Sequence, residues 1–185
     1  MADLFVALIH YPVVDRTGKI VSSMITSLDL HDIARSSRTY GVRAFFVVHP
    51  LPEQREFAAK VMDHWRLDPG RLYDTRRREA LDLVEVVEDL DSAIKGAEAL
   101  SRVRPRLAFT SARLEQGMSY AALREELNRP DAAPVMLMLG TGFGMAPAMR
   151  DRADIELAPI NGPGAYNHLS VRAAASIMLD RLRGR

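Results

Sequence analysis

Two glycine-rich loops near the end of the chain have the composition expected of a ligand site. The first, Gly140-Thr-Gly-Phe-Gly144, follows the apolar run Val135–Leu139, and the second, Asn161-Gly-Pro-Gly164, follows Ile155–Leu157. Glycine lets the main chain approach a ligand closely and adopt positive φ angles without a Cβ clash. Loops at the carboxyl ends of parallel strands form the ligand site of open α/β sheets. The pair therefore predicts a cofactor pocket built mainly from main-chain groups.

The first loop does not fit the dinucleotide-binding fingerprint Gly-x-Gly-x-x-Gly. Its third glycine, Gly144, falls one position early, and Pro147 follows soon after. The loop also lies late in the chain rather than in a first βα unit, where that fingerprint belongs. A nucleotide-dependent oxidoreductase is therefore disfavoured. A glycine-rich turn without any ligand remains an alternative.

The second loop leads into a helix that we predict to run from Asn167 to Arg183. Asn167 is a favourable N-cap residue, and the main-chain N–H groups of His168, Leu169 and Ser170 would then face a ligand oxygen. His168 is a candidate base, but a structural histidine is the alternative, since nothing nearby in sequence tunes its pKa.

Composition excludes several kinds of chemistry. The chain has no cysteine, which removes thiolate nucleophiles and cysteine-based zinc sites. Its five histidines are scattered without a His-x-x-x-His pair, so we expect no metal. The first apolar run, Leu4–Ile9, is preceded by Asp3 rather than by basic residues and is too short to cross a membrane. We therefore expect a cytoplasmic protein with no membrane partner.

The basic residues are unusual in type rather than in number. All but three of the 25 are arginine, and the formal net charge is only +1. Arginine suits bidentate phosphate contacts, and Arg76–Arg78 and Arg102–Arg106 are local clusters. A codon bias toward arginine explains the same count, so composition alone does not establish a nucleic-acid partner.

Strand-like and helix-like segments alternate along the whole chain. This alternation predicts an α/β fold with a mostly parallel sheet flanked by helices on both faces, and the length predicts one domain over residues 1–185. Asp68-Pro69-Gly70 is a predicted turn. The predicted strands are Leu4–Ile9, Arg43–Val48, Leu83–Val87, Arg106–Thr110, Val135–Leu139 and Ile155–Leu157, and the other predicted helices are Ser27–Tyr40, Pro52–Arg66, Asp91–Leu100 and Ser119–Leu127.

The C-terminal third resembles the SPOUT class of RNA methyltransferases, in which two glycine loops precede a helix that opens Asn-x-Leu-Ser-Val. Here the helix start is Asn167-His-Leu-Ser-Val-Arg-Ala-Ala-Ala175. The segment Leu28–Val42 is similar to the first motif of the class, a helix that bears an arginine and ends in aromatic-Gly-Val. Thr110-Ser-Ala-Arg113 is also similar to a small stand-alone bacterial group of this class.

The resemblance implies a C-terminal trefoil knot, S-adenosylmethionine (SAM) as cofactor, an RNA substrate (tRNA or rRNA) and a homodimer formed through the knot. It implies a catalytic role for Arg35, for which Arg38, one turn on, is a second candidate. From the chemistry of arginine we expect Arg35, Arg38 and Arg113 to anchor RNA phosphates, and a surface or core-edge salt bridge is the alternative for each. The cofactor-binding positions that it implies are Gly140, Thr141, Gly142, Gly144, Ile160, Gly162, Gly164, Tyr166, Asn167, Leu169 and Ser170.

One departure from the class keeps a second function open. The first motif usually opens with an asparagine, whereas Leu30 or His31 occupies that neighbourhood here. The alternative is a SAM- or nucleotide-binding regulatory module without catalytic activity. Methyl transfer is an in-line displacement in which much of the acceleration can come from positioning. A cofactor cage built from main-chain groups suits either function.

Overall fold

The computed structural model describes residues 1–66 and 75–185, in which strands and helices alternate. The predicted turn at residues 68–70 lies outside these residues. The elements are β1 (Leu4–Ile9), β2 (Val13–Val14), β3 (Ile20–Val21), α1 (Ser27–Thr39), β4 (Ala44–Val48), α2 (Pro52–Arg66), α3 (Thr75–Leu81), β5 (Val84–Val87), α4 (Leu90–Ser101), β6 (Arg106–Phe109), α5 (Tyr120–Leu127), β7 (Val135–Gly140), α6 (Pro147–Arg150), β8 (Ile155–Glu156) and α7 (Val171–Arg183).

Six of these strands form one sheet in the order β5-β4-β1-β7-β6-β8, and every pairing in it is parallel. β1 lies at the centre, where Leu8 pairs with Val47 of β4 and with Leu139 of β7. Because the strands are parallel, their carboxyl ends meet at one edge. That edge brings together the residues that follow β1, β4 and β7.

Both faces of the sheet are covered, which explains why its central strand is continuously apolar. All six residues of β1 are buried. Alternate residues of a strand point to opposite faces: Leu4, Val6 and Leu8 belong to one core cluster, and Phe5, Ala7 and Ile9 belong to the other. The first cluster contains α1, α2, α3, α5 and α7, and the second contains α4 and α6. The predicted fold class is confirmed.

The start of α1 differs from the prediction by one residue. The N-cap is Thr26 rather than Ser27: its hydroxyl oxygen accepts from the Asp29 main-chain N–H and donates to the Asp29 carboxylate over 2.7 Å. Ser27 could not form this reciprocal pair, since Leu30 stands three residues after it. The helix ends as predicted before Gly41, which has a φ of 68°.

Four short elements were not predicted from the sequence. They are the antiparallel pair β2–β3, the helix α3 and the single turn α6. None of the helices in residues 1–66 and 75–185 is long and apolar enough to cross a membrane.

Candidate functional site

A cavity of about 720 Å³ opens at the carboxyl edge of the sheet, between the first glycine loop and the segment that leads into α7. This volume lies in the range of small-molecule and cofactor sites. The residues that line it are Ser23, Met24, Asp29, residues 110–113, residues 139–144, Ile160, residues 167–171, Ala174 and Met178. Loops that are distant in sequence therefore form one concave site.

The first glycine loop has a conformation that requires its glycines. Gly142 and Gly144 have φ angles of 60° and 110°, values that residues with a Cβ rarely adopt. A Cβ on Gly140 would lie only 2.9 Å from the main-chain nitrogen of Met145. The loop can therefore turn tightly and present main-chain groups to the cavity, as its composition predicts.

The short strand β2 is joined to this loop by main-chain hydrogen bonds. Val14 N–H donates to the Gly144 carbonyl over 2.9 Å, and the Phe143 N–H donates to the Val14 carbonyl over 3.2 Å. A further bond of 3.0 Å joins the Ala146 N–H to the Pro12 carbonyl. The loop is thus anchored by a segment more than a hundred residues earlier, which no local sequence pattern indicated.

Thr141 lines the cavity, but its hydroxyl is engaged inside the protein. The Oγ1 atom donates to the Ile9 carbonyl over 3.1 Å and lies 2.5 Å from Ser23 Oγ. Because its one proton is used in this way, Thr141 faces a ligand mainly with its main-chain groups. Ser23, at the other end of this contact, also lines the cavity.

The second loop reaches the cavity only in part. Ile160, Asn167, Leu169 and Ser170 are among the lining residues. Gly162, Gly164 and Tyr166 are not among them, and Tyr166 is 81% exposed. The structure thus separates three of the predicted cofactor positions from the cavity.

The predicted helix start at Asn167 is wrong. The N-cap of α7 is Ser170, whose hydroxyl oxygen accepts from the Ala173 N–H over 3.2 Å. Residues 167–169 precede the helix and have no regular secondary structure. As a result, the first turn of α7 brings Val171 and Ala174 to the cavity wall, and the N–H groups of residues 168–170 are not those of a helix terminus.

Asp29 is a site residue that sequence reasoning missed. Its side chain is 9% exposed and lines the cavity, and its Oδ1 accepts from Arg172 Nη1 of α7 over 2.9 Å. Arg172 is half-buried against α1, with its Nε 3.5 Å from the Asp32 carboxylate. The Thr26-x-x-Asp29 capping pattern could have indicated this role. It predicts the N-terminus of the helix that follows β1, and therefore a position near the carboxyl edge of the sheet.

The three predicted substrate arginines lie in different places. Arg113 is exposed and lines the cavity. Arg35 lies on the outer side of α1, where it donates to the His31 carbonyl and the Asp32 carboxylate. Arg38 lies one turn further along, 3.8 Å from Glu79. Arg35 and Arg38 are thus outside the lining of the cavity, and both side chains are more than half exposed.

Two buried histidines follow the strands β1 and β4 at this edge. His10 is fully buried, and burial, with a smaller contribution from His49, lowers the pKa of its imidazole to about 4. Burial also lowers the pKa of His49. Both side chains are therefore neutral at pH 7. Within the described part of the chain, no group of three or more His, Asp or Glu side chains is placed to hold a metal ion.

Comparison with known proteins decides the family. A family model described as "SAM-dependent RNA methyltransferase" matches residues 3–184, nearly the whole chain. The chain belongs to this family. The assignment confirms the resemblance to RNA methyltransferases and the SAM dependence that the resemblance implied. It gives no support to a nucleotide-dependent oxidoreductase.

Two relatives of this methyltransferase differ in how much of their own length it matches. One is a tRNA (guanine-N(1)-)-methyltransferase of Nitratidesulfovibrio vulgaris, 40% identical over 182 residues that represent 98% of this chain and 42% of the relative. The chain thus spans less than half the length of that protein. The other is an uncharacterized protein of Aquifex aeolicus, 38% identical over 184 residues, or 99% of this chain and 89% of the relative.

A solved structure supports the fold of this methyltransferase. The SpoU methyltransferase AviRb from Streptomyces viridochromogenes, crystallised in complex with AdoMet, is similar with a TM-score of 0.56 at 15% identity. The similarity covers 97% of this chain and 56% of AviRb. It confirms the SPOUT-like fold class that the sequence predicted.

Proposed function

We propose that this methyltransferase binds SAM in the cavity at the carboxyl edge of the sheet and transfers its methyl group to tRNA or rRNA. The observation that carries the proposal is the cavity itself: a volume of about 720 Å³ bounded by a glycine loop with positive φ angles and by the residues that lead into α7. The family match over residues 3–184 supports treating residues 1–185 as one methyltransferase domain.

The lining of the cavity suits each part of SAM. Leu139, Ile160 and Met178 provide an apolar wall for the adenine ring. The carboxylate of Asp29, although paired with Arg172, also lines the cavity and suits the positive charge of the sulfonium or the amino group. Main-chain groups of Gly140–Gly144 suit the polar atoms of the ribose and the methionine part. When bound, SAM supplies an electrophilic methyl group.

Eight of the predicted cofactor positions line the cavity, and we propose that they hold SAM. They are Gly140, Thr141, Gly142, Gly144, Ile160, Asn167, Leu169 and Ser170. Gly162, Gly164 and Tyr166 lie outside the lining. We assign them instead to the shape of the second loop and, for the exposed Tyr166, to contact with RNA at the mouth of the cavity.

The arginines are proposed to position RNA rather than to react. Phosphate contacts fix the register of a nucleic acid without reading its sequence. Arg113, at the cavity, is placed to hold the phosphate beside the target nucleotide. Arg35 and Arg38, on the outer side of α1, would extend the contact along the strand.

The trefoil knot and the homodimer are proposals that rest on the SPOUT-like fold. After β8, residues 158–170 pass the cavity, and α7 then packs against α1 and α5 in the core. This return of the chain is the segment in which the class has its knot. Because the substrate is RNA, we place the reaction in the cytoplasm.

The acceptor atom is the least constrained part of the proposal. The N1 atom of guanine in tRNA is one candidate, taken from the name of a relative. That relative is more than twice as long as the matched segment, so its named reaction can belong to the other part of the protein.

Two titrations and one transfer assay test the proposal. Calorimetry should show SAM binding and no NADH binding. Tritium from methyl-labelled SAM should then enter unmodified tRNA or rRNA, and nucleoside mass spectrometry would identify the acceptor. Absence of SAM binding would refute the proposed site, and SAM binding without transfer to any cellular RNA would favour the regulatory module.

A further inference from the structure

Ser23 is held at three points by the two buried histidines. Its N–H donates to the His10 carbonyl over 2.9 Å. Its carbonyl lies 3.0 Å from His49 Nε2, and its hydroxyl oxygen lies 2.9 Å from His10 Nδ1. The proton positions on both rings follow from their other partners. His49 Nδ1 accepts from the Leu51 N–H over 3.1 Å, so His49 Nε2 carries the proton and donates to Ser23.

The direction of the bonds from His10 is fixed in the same way. The single hydroxyl proton of Thr141 goes to the Ile9 carbonyl. Ser23 Oγ, 2.5 Å from Thr141 Oγ1, must therefore be the donor in that contact. The serine proton is then used, and His10 Nδ1 must donate to Ser23 Oγ. The chain of hydrogen bonds therefore runs from His10 through Ser23 and Thr141 to the Ile9 carbonyl.

This chain of hydrogen bonds passes through Thr141 of the first glycine loop. Thr141 stands between Gly140 and Gly142, and both it and Ser23 line the cavity. His10 itself is fully buried and is not among the lining residues, and its Nε2 atom has no hydrogen-bond partner within the described structure. A buried acceptor without a partner is costly. The position nevertheless has a histidine, which points to a requirement for its Nδ1–H group.

We propose that His10 is a positioning residue for the cofactor: through Ser23, its Nδ1–H group fixes the Thr141 hydroxyl and with it the conformation of Gly140–Gly144. The inference rests on the proposed function, since it takes this loop to hold SAM. His10 touches neither cofactor nor RNA in this account. Its effect is on cofactor affinity, through a loop whose glycines have little intrinsic preference for one conformation.

Two substitutions of His10 separate the hydrogen bond from the volume of the ring. In His10→Asn the side-chain amide can place a donor where Nδ1 lies, whereas in His10→Gln the amide is one bond further out, near the position of Nε2. We expect His10→Gln to weaken SAM binding about tenfold, the cost of losing one positioned hydrogen bond. His10→Asn should stay within about threefold of the wild type. A purely space-filling role predicts the opposite order, since Asn is smaller than Gln and leaves the larger void at this fully buried position.

Ser23→Ala cuts the same chain at a half-buried position and is the second variant should His10→Gln fail to fold. Its matched control is Ser36→Ala, because Ser36 Oγ forms a comparable 2.7 Å contact with Ser176 Oγ between α1 and α7, away from the cavity lining. We expect about a tenfold loss of SAM affinity for Ser23→Ala, and an unchanged affinity for Ser36→Ala, at similar thermal stability.

The ring proton can be observed directly. Long-range ¹H–¹⁵N correlation spectra of the wild type should show His10 as the Nδ1–H tautomer, and the Nε2–H tautomer would overturn the inference. The inference would also be refuted if Ser23→Ala bound SAM as tightly as Ser36→Ala, or if His10→Asn lost as much SAM affinity as His10→Gln or more. Wild-type protein that bound no SAM would instead refute the proposed function, and the tautomer would still test the chain of bonds.

Discussion

The Asp29 carboxylate and the Arg172 guanidinium meet over 2.9 Å at the wall of the cavity and join α1 to α7. The two residues are 143 positions apart. Asp29 is buried, and Thr26 is the other partner of its carboxylate. The ion pair thus fixes α7 against α1, the helix of the crossover connection between the parallel strands β1 and β4. Both helices contribute residues to the proposed SAM site.

Arg172→Met should therefore destabilise the protein by about 2 kcal/mol, because it leaves a buried carboxylate without its cation. The free energy of unfolding from urea titrations measures the effect. Arg35→Met is the control: it removes the exposed pair with Asp32 and should cost less than about 0.5 kcal/mol. Equal losses for the two variants would show that burial of Asp29 does not matter here.

Gly142→Val should abolish SAM binding while leaving most of the fold intact. Its φ of 60° disfavours a β-branched residue, and a Cβ would lie 3.4 Å from the Val14 carbonyl oxygen that anchors the loop. Gly18→Val is the matched control, since Gly18 also has a positive φ, 84°, but lies in the turn between β2 and β3. Calorimetric SAM affinity should collapse for the first variant only. Retained affinity in Gly142→Val would place SAM elsewhere.

The stability of the protein should fall when the pH falls below the pKa of histidine in the unfolded chain. The pKa of His10 is about 4 in the folded protein and 6.5 in the reference state. Between these values the unfolded chain binds a proton that the folded chain does not, so unfolding becomes easier toward acid pH. The loss reaches roughly 3 kcal/mol near pH 4 and vanishes above about pH 7.

Urea titrations across that pH window, on wild type and on His10→Asn, isolate this contribution. Burial lowers the pKa of His31 and His49 as well, so part of the acid sensitivity should persist in the variant. A wild type whose stability is constant from neutral pH to about pH 4 would contradict the burial of a neutral His10.

Arg113→Ala should raise the KM for RNA about fivefold and leave SAM affinity unchanged, because the side chain is proposed to contact a phosphate. It should also reduce, by about one, the slope of the logarithm of RNA affinity against the logarithm of salt concentration, as expected for the loss of one phosphate contact. Arg104→Ala is a matched control at the opposite end of β6, before its first residue. If Arg104→Ala had the larger effect, RNA would bind at the other edge of the sheet.

The fold could be predicted from sequence because its strongest signals are local. Six consecutive apolar residues in β1 are buried on both sides of a parallel sheet, and such a run has few alternatives. Helix starts were less certain. Ser27 and Asn167 are both good caps by residue type, but hydrogen bonds to Asp29 and Ala173 select Thr26 and Ser170.

The site was only half predictable, for a physical reason. The glycines of the first loop can be recognised from the local sequence. Ser23, Asp29 and β2, in contrast, form hydrogen bonds with residues more than a hundred positions away along the chain. Only the alignment of strand ends at one sheet edge brings them to the loop. Nothing in their own neighbourhoods distinguishes them from an ordinary turn or helix cap.

SAM is proposed to occupy the cavity at the carboxyl edge of the sheet, and mapping of main-chain amide shifts tests this most directly. On titration of ¹⁵N-labelled protein with SAM, the largest changes should fall on Gly140, Gly142, Gly144, Leu169 and Ser170. Changes confined to the small polar cleft between Arg106 and Asp131, at the opposite edge of the sheet, would contradict the account. So would the absence of any change at saturating SAM.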